Sequence, residues 1–256
     1  MKWIRQKVLS GELMAGTFLN LGSSLTAEMA GQAGFDWVLV DLEHGGGDRQ
    51  ELLLQAQAME GSSAGTIVRI PWNDPVIVKR VLDLGVSGIM VPYVQSADEA
   101  RKAVAAMRYP PAGVRGVAAM NRACAFGPGF DEYFQAANSQ LLTIVQIETG
   151  ATIDRVDEIA AVDGVDVLFI GPLDLSVSLG VPKQFDHPSV RAAFAKVVAA
   201  CRKAGKVAGL ILAKEDEIER AIADGFSFLS LSSDGALVAL GMRRIAAAFS
   251  KHKKRT

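Results

Sequence analysis

The sequence predicts a (β/α)8 TIM barrel occupying residues 1–256 as a single domain. Three observations point there. The length of 256 residues suits one large α/β barrel. Short runs rich in Val, Ile and Leu alternate with longer segments of helical spacing about eight times, as repeated βα units around a parallel sheet require. No GxGxxG follows the first strand, which disfavours the alternative of an open, doubly wound sheet.

The elements follow in order. Met14–Leu19 is the first strand and Ser24–Ala33 its helix; Trp37–Asp41 precedes a helix at Arg49–Glu60. Thr66–Ile70 leads into Pro75–Leu84, where Asp74 supplies a cap and Pro75 fits the first helical position. Gly88–Pro92 is followed by Ala97–Met107, started by Ser96. Leu141–Ile147 and Thr152–Ala161 form the fifth unit, Val165–Ile170 and Ser189–Ala204 the sixth. Lys206–Leu212 with Lys214–Ala223, and Phe226–Leu231 with Ala236–Phe249, complete the count. Arg108–Gln140 is too long for an ordinary link; following the fourth strand, it is expected on or beside the face where barrels build their sites.

Composition excludes several classes. With 27 Lys and Arg against 28 Asp and Glu, the net charge of −1 offers no field for a polyanion, so no nucleic-acid partner is expected. The one basic run, residues 251–255, reads as a solvated tail. Neither a targeting signal nor a stretch able to span a bilayer is present, so no membrane contact is expected. Cys124 and Cys201 belong to no ligand or disulfide pattern, and a reducing cytoplasm is the expected compartment.

Barrel chemistry is carried at the C-terminal ends of strands. The second strand runs into Asp41-Leu42-Glu43-His44 and three glycines that would let a ligand approach the backbone; the third ends at Arg69; the fifth ends Gln146-Ile147-Glu148; the sixth runs out through Gly171, Pro172, Leu173 and Asp174. Gln146 and Glu148 are two apart and share one face of an extended strand. Glu148 and Asp174, arriving from neighbouring strands, repel unless a cation or proton joins them, which suits a hard divalent ion; both could instead cap the helices they precede. His44 can exchange protons near neutral pH with Asp41 to orient it, or it is an exposed loop residue. Arg69, between apolar neighbours, must find an anion: a substrate oxygen, or a structural pair with Glu43 or Asp41. The Gly171–Asp174 turn offers free N–H groups to a small acid.

DWVLVDLEHG, VRIP, VPYVQSADEA, RYPPAGVRG, VQIET and FIGPLDLS, in this order along the chain, resemble the HpcH/HpaI aldolase family of class II pyruvate aldolases. The resemblance implies a (β/α)8 barrel assembled as a homo-oligomer, often a hexamer. It implies a divalent cation, Mg2+ with Mn2+ or Co2+ as alternatives, held by Glu148 and Asp174, on which pyruvate chelates. It places Arg69 beside the enolate oxygen, makes His44 with Asp41 the proton-transfer pair, and brings Asp83 towards a neighbouring subunit's site. Gln146, Gly171, Pro172, Leu173, Asp174 and Leu212 fall on the substrate side, with Phe18, where many relatives carry tryptophan, near the aldehyde.

The implied reaction is retro-aldol cleavage of a 4-hydroxy-2-oxoacid to pyruvate and an aldehyde. Alternatives are oxaloacetate decarboxylation at the same site or a non-catalytic barrel subunit. A Schiff-base mechanism lacks its lysine, because Lys206 opens the seventh strand and Lys214 sits among acidic residues.

Overall fold

A computed structural model describes residues 2–250 and His252; the rest of the basic run, 251 and 253–255, lies outside the described residues. Eight parallel strands close into a barrel in chain order: β1 (Met14–Leu19), β2 (Trp37–Asp41), β3 (Gly65–Arg69), β4 (Gly88–Val91), β5 (Leu142–Ile147), β6 (Val167–Ile170), β7 (Val207–Leu212) and β8 (Phe228–Ser233), with β8 pairing back onto β1. The (β/α)8 expectation therefore holds. The register between β1 and β8 slips between Gly16 and Phe18, so β8 bulges where Ser232 takes a left-handed backbone with φ of 62°.

The helices are α1 (Arg5–Leu9), α2 (Ser24–Gln32), α3 (Arg49–Ala58), α4 (Pro75–Leu82), α5 (Ala97–Met107), α6 (Phe130–Gln140), α7 (Gly150–Asp154), α8 (Val156–Ala160), α9 (Pro172–Ser178), α10 (Pro188–Ala204), α11 (Ile218–Asp224) and α12 (Asp234–Ser250). Their starts are chemically specified. Asp48 and Glu51 form a capping box on α3, Asp74 accepts from Val76 and Ile77 at the Pro75 start of α4, and Ser96 caps α5. The helix expected at Thr152–Ala161 is two short helices, α7 and α8, meeting at Arg155.

The long connection at 108–140 lies at the opposite end of the barrel from where the sequence placed it. It follows α5 rather than β4, so it returns the chain to the N-terminal ends of the strands. Ala123 N–H donates to Asp83 O at the end of α4, and Arg122 Nη1 reaches Leu84 O at 2.5 Å. The segment is also not a structureless loop, since α6 fills its last third.

Strand alternation builds two cores. Outward residues such as Val38, Val68 and Leu210 pack beneath the helices, while Leu39, Ile67, Ile144 and Val167 fill the barrel itself. Inside, Trp37 stacks on Phe228 at 4.2 Å and meets Phe169 edge-on at 6.5 Å, with its Nε1 donating to Met14 O. Trp37→Ala is expected to cost about 3–5 kcal/mol of unfolding free energy in a urea titration, because this void is enclosed on every side and cannot collapse.

α12 departs from the pattern. Of its 17 residues only Asp234 is buried, while Leu237, Leu240, Met242, Ile245 and Phe249 are exposed. Among the described residues no helix is long and apolar enough to cross a membrane.

Candidate active site

The strand ends named from the sequence converge on one cavity of about 380 Å³ at the C-terminal mouth. Phe18, Asp41, His44, Arg69, Gln146, Glu148, Gly171, Pro172, Leu173 and Asp174 all line it. Inward parity explains the arrangement: Asp41 and Arg69 are register partners across β2 and β3, and Gln146 and Glu148 continue the inward face of Ile144 on β5.

The Arg69 guanidinium is the hub. It makes a two-pronged pair with Asp41, Nε to Oδ1 at 2.9 Å and Nη2 to Oδ2 at 2.7 Å, and its Nη1 lies 3.1 Å from Glu43 Oε2. Its Cζ stands 5.4 Å from the centre of the Phe18 ring. Burial opposes the charge on Arg69, but the Asp41 hydrogen bonds and the carboxylates of Asp41, Glu43 and Glu148 outweigh it and raise its pKa. Burial likewise works against the Asp41 charge, and the Arg69 hydrogen bonds and charge overcome it, holding its carboxyl below the usual range. The ion pair that the sequence left open as an alternative for Arg69 is thus present, with both acids.

Glu148 is buried and held by two donors, Tyr93 N–H on Oε2 and Gln146 Nε2 on Oε1, each at 2.9 Å. Tyr93 adopts a left-handed backbone, φ 51°, and stacks its exposed ring on Trp72. Burial pushes the Glu148 carboxyl up to about 7, with the charges of Glu43 and Asp174 acting the same way. Gly171 makes this seat possible, because a Cβ there would lie 2.7 Å from Glu148 Oε1.

Two expectations need correction. The Asp41 carboxylate does not touch the His44 ring: its Oδ1 accepts the backbone N–H groups of Glu43 and His44, and Arg69 occupies both of its oxygens. The largely exposed imidazole faces Glu43 instead, Nε2 to Oε2 at 3.9 Å. Nor is Gly45 a glycine kept for a ligand's approach, because its missing Cβ would sit 2.1 Å from Asp41 O. The glycine is needed to fold the turn back on its own strand.

Leu212 is outside the cavity. Alternation along β7 sends Ile211 inward to the lining and Leu212 outward into the core beneath α10 and α11. Asp83, at the far end of the barrel, pairs with the buried Arg115 at 3.0 Å. Sequence reasoning also passed over Asn20, Ser232, Ser233 and Ala236, which close the cavity on the β8 and β1 side. For Ser232 and Ser233 the available signal is the polar Ser232-Ser233-Asp234 that follows the expected strand end at Leu231.

The profile of the HpcH/HpaI aldolase/citrate lyase family matches residues 14–240. The chain belongs to that family. Among its HpcH/HpaI relatives, the pyruvate aldolase of Rhizobium etli is 43% identical over 246 residues, covering 96% of this chain and 96% of that one. The 4-hydroxy-2-oxo-heptane-1,7-dioate aldolase of Salmonella typhimurium is 42% identical, covering 96% of this chain and 93% of its own. The crystal structure of an HpcH/HpaI aldolase/citrate lyase family protein from Burkholderia cenocepacia superposes with a TM-score of 0.91 at 35% identity, covering 98% of this chain and 100% of that one.

Proposed function

We propose that this carbon–carbon lyase, acting as one catalytic barrel, cleaves a 4-hydroxy-2-oxoacid reversibly to pyruvate and an aldehyde, with a divalent cation held by Glu148 and Asp174. The observation that carries the reading is the meeting of these two acids and Arg69 in one strand-end cavity, where burial and the charges of Glu43 and Asp174 push the Glu148 carboxyl up to about 7. The donor set is a pair of carboxylates, Glu148 and Asp174, lining one cavity, and hard oxygen donors of this kind suit such an ion. Two carboxylates leave positions for water and substrate oxygens, as a hard ion such as Mg2+ prefers; Mn2+ and Co2+ are expected to substitute.

When bound, the cation supplies a Lewis acid for charge developing on the keto oxygen. Arg69, fixed by Asp41 and Glu43, adds a preorganised positive charge at the same place. Gln146 orients Glu148, and the backbone of Gly171–Asp174 seats the substrate carboxylate beside Pro172 and Leu173. His44 removes the 4-hydroxyl proton; the O–H electrons form the aldehyde carbonyl, the C3–C4 bond breaks and its pair enters the pyruvate enolate. Protonation at C3 then gives pyruvate.

Pyruvate release from a 4-hydroxy-2-oxoacid tests the reading: activity should vanish on chelation and return with Mg2+, Mn2+ or Co2+. Full activity after exhaustive cation removal, with borohydride trapping of a pyruvate adduct, would overturn it. His44→Ala is expected to keep calorimetric cation affinity while turnover falls about 10²-fold, the lower end for a positioned acid or base.

Assembly of several copies, with a hexamer as the specific expectation, belongs to the same proposal and is supported by the exposed apolar side chains of α12. So does a cytoplasmic location, in keeping with two buried free cysteines.

A further inference from the structure

The cavity has two chemically different sides. Asp41, Arg69, Gln146, Glu148 and Asp174 make one of them ionic, whereas Phe18, Asn20, Ile211, Ser232, Ser233 and Ala236 make the other neutral. That neutral side carries unspent hydrogen-bonding capacity. Ser232 sits in the β8 bulge with φ of 62°, an uncommon conformation for a residue with a side chain, and faces the cavity. Below it on β8, Ser230 Oγ is buried without a hydrogen-bond partner. Asn20 uses its Oδ1 to accept Gly235 N–H, and among the described residues its amide nitrogen donates to no protein group. Ser233 Oγ accepts Ala236 N–H, which leaves its proton to give.

Charge on this side is unfavourable to an anion. Behind Asn20 lies the buried Asp234 carboxylate, accepting from Asn20 N–H and Thr26 Oγ1. Among the described residues Arg69 is the one Lys or Arg side chain lining the cavity, and Asp41 and Glu43 already hold it. A second carboxylate carried by the aldehyde would lie near Asp234 with no further Lys or Arg of the described residues lining the cavity to match it, whereas a hydroxyl could both donate and accept.

We infer that the aldehyde partner is a short, uncharged, hydroxyl-bearing aldehyde, recognised by Ser232, Ser233 and Asn20 against the Phe18 and Ile211 walls. The inference rests on the aldolase reading above and names the substrate class of that site. In the synthetic direction pyruvate gives up a C3 proton, its enolate carbon bonds to the aldehyde carbon, and the carbonyl π pair moves to oxygen, which takes a proton to become the 4-hydroxyl.

The test is the rate of aldol addition with Mg2+ and pyruvate to glycolaldehyde, to its near-isostere propanal, and to succinic semialdehyde. Exchange of the pyruvate C3 protons in D2O, followed by NMR, reports enolate formation independently of any aldehyde. Glycolaldehyde is expected to exceed both competitors by about tenfold in kcat/KM, the worth of one net hydrogen bond. In Ser232→Gly, which keeps the left-handed backbone accessible, the glycolaldehyde-to-propanal ratio should fall towards one. A merely structural serine would lower both rates together and leave the ratio, and that result overturns the inference, as does succinic semialdehyde matching or beating glycolaldehyde. Exchange without aldehyde preference sinks the inference alone; absence of exchange with every cation sinks the aldolase reading and the inference with it.

Discussion

Glu148→Gln is expected to bind no divalent cation measurably by calorimetry and to lose at least about 10³-fold in turnover, since both the ion and its electron sink go with the carboxylate. The same variant should be the more stable protein when cations are absent. In the folded chain burial raises Glu148 from an ordinary 4.5 to about 7, so across that window the native state keeps a proton that the unfolded chain has released. Stability from this group is therefore full below about 4.5 and is lost as pH rises through about 7. Glutamine mimics the protonated form. In chelator, denaturant melts should coincide at pH 4 and favour the variant at pH 8 by on the order of 3 kcal/mol. With cation present the order should narrow or reverse, because only the wild type gains from binding. Equal cation affinity in wild type and variant would remove Glu148 from the ligand set.

Arg69→Ala is expected to lower turnover by about 10²–10³-fold, the usual consequence of losing one preorganised donor at a developing negative charge. Arg69→Lys should recover little, because an ammonium cannot span both Asp41 oxygens and reach Glu43 at once. Stability should suffer as well. The two-pronged pair is the reason: without Arg69 the buried Asp41 is left uncompensated. Removing one partner of such a pair costs about 3–5 kcal/mol. Adding Asp41→Asn to the alanine variant separates the effects, since it should restore much of the melting temperature and none of the turnover. A normal turnover number in Arg69→Ala, or recovery of activity along with stability in the double variant, would make Arg69 a structural residue only.

Much of this architecture was legible in the chain because barrel strands announce themselves twice, as buried apolar runs and as polar residues where those runs end. Asp41, Arg69 and Glu148 could be placed at one mouth from parity and direction alone. Parity is also where the sequence misled. Leu212 and Ile211 are both apolar, and nothing in composition says which faces inward until the β7 register is known. Ser232 and Ser233 were missed because a bulge lengthens β8 beyond its apolar run. The imidazole of His44 turns to Glu43 because Arg69 claims Asp41 first, a competition among neighbours far apart in sequence. The 108–140 segment was misplaced by counting from the strand before it rather than the helix before it.

The aromatic stack inside the barrel has a consequence for traffic. Phe169 belongs both to that stack and to the lining of the cavity, so it closes the cavity on the barrel side with the Trp37 and Phe228 rings packed against it. The barrel is a well with one mouth rather than a tunnel, and the two products of the proposed cleavage would share that mouth. In the proposed reaction the molecule that rests beside Gln146, the register partner of Phe169, is the one expected to enter first and depart last.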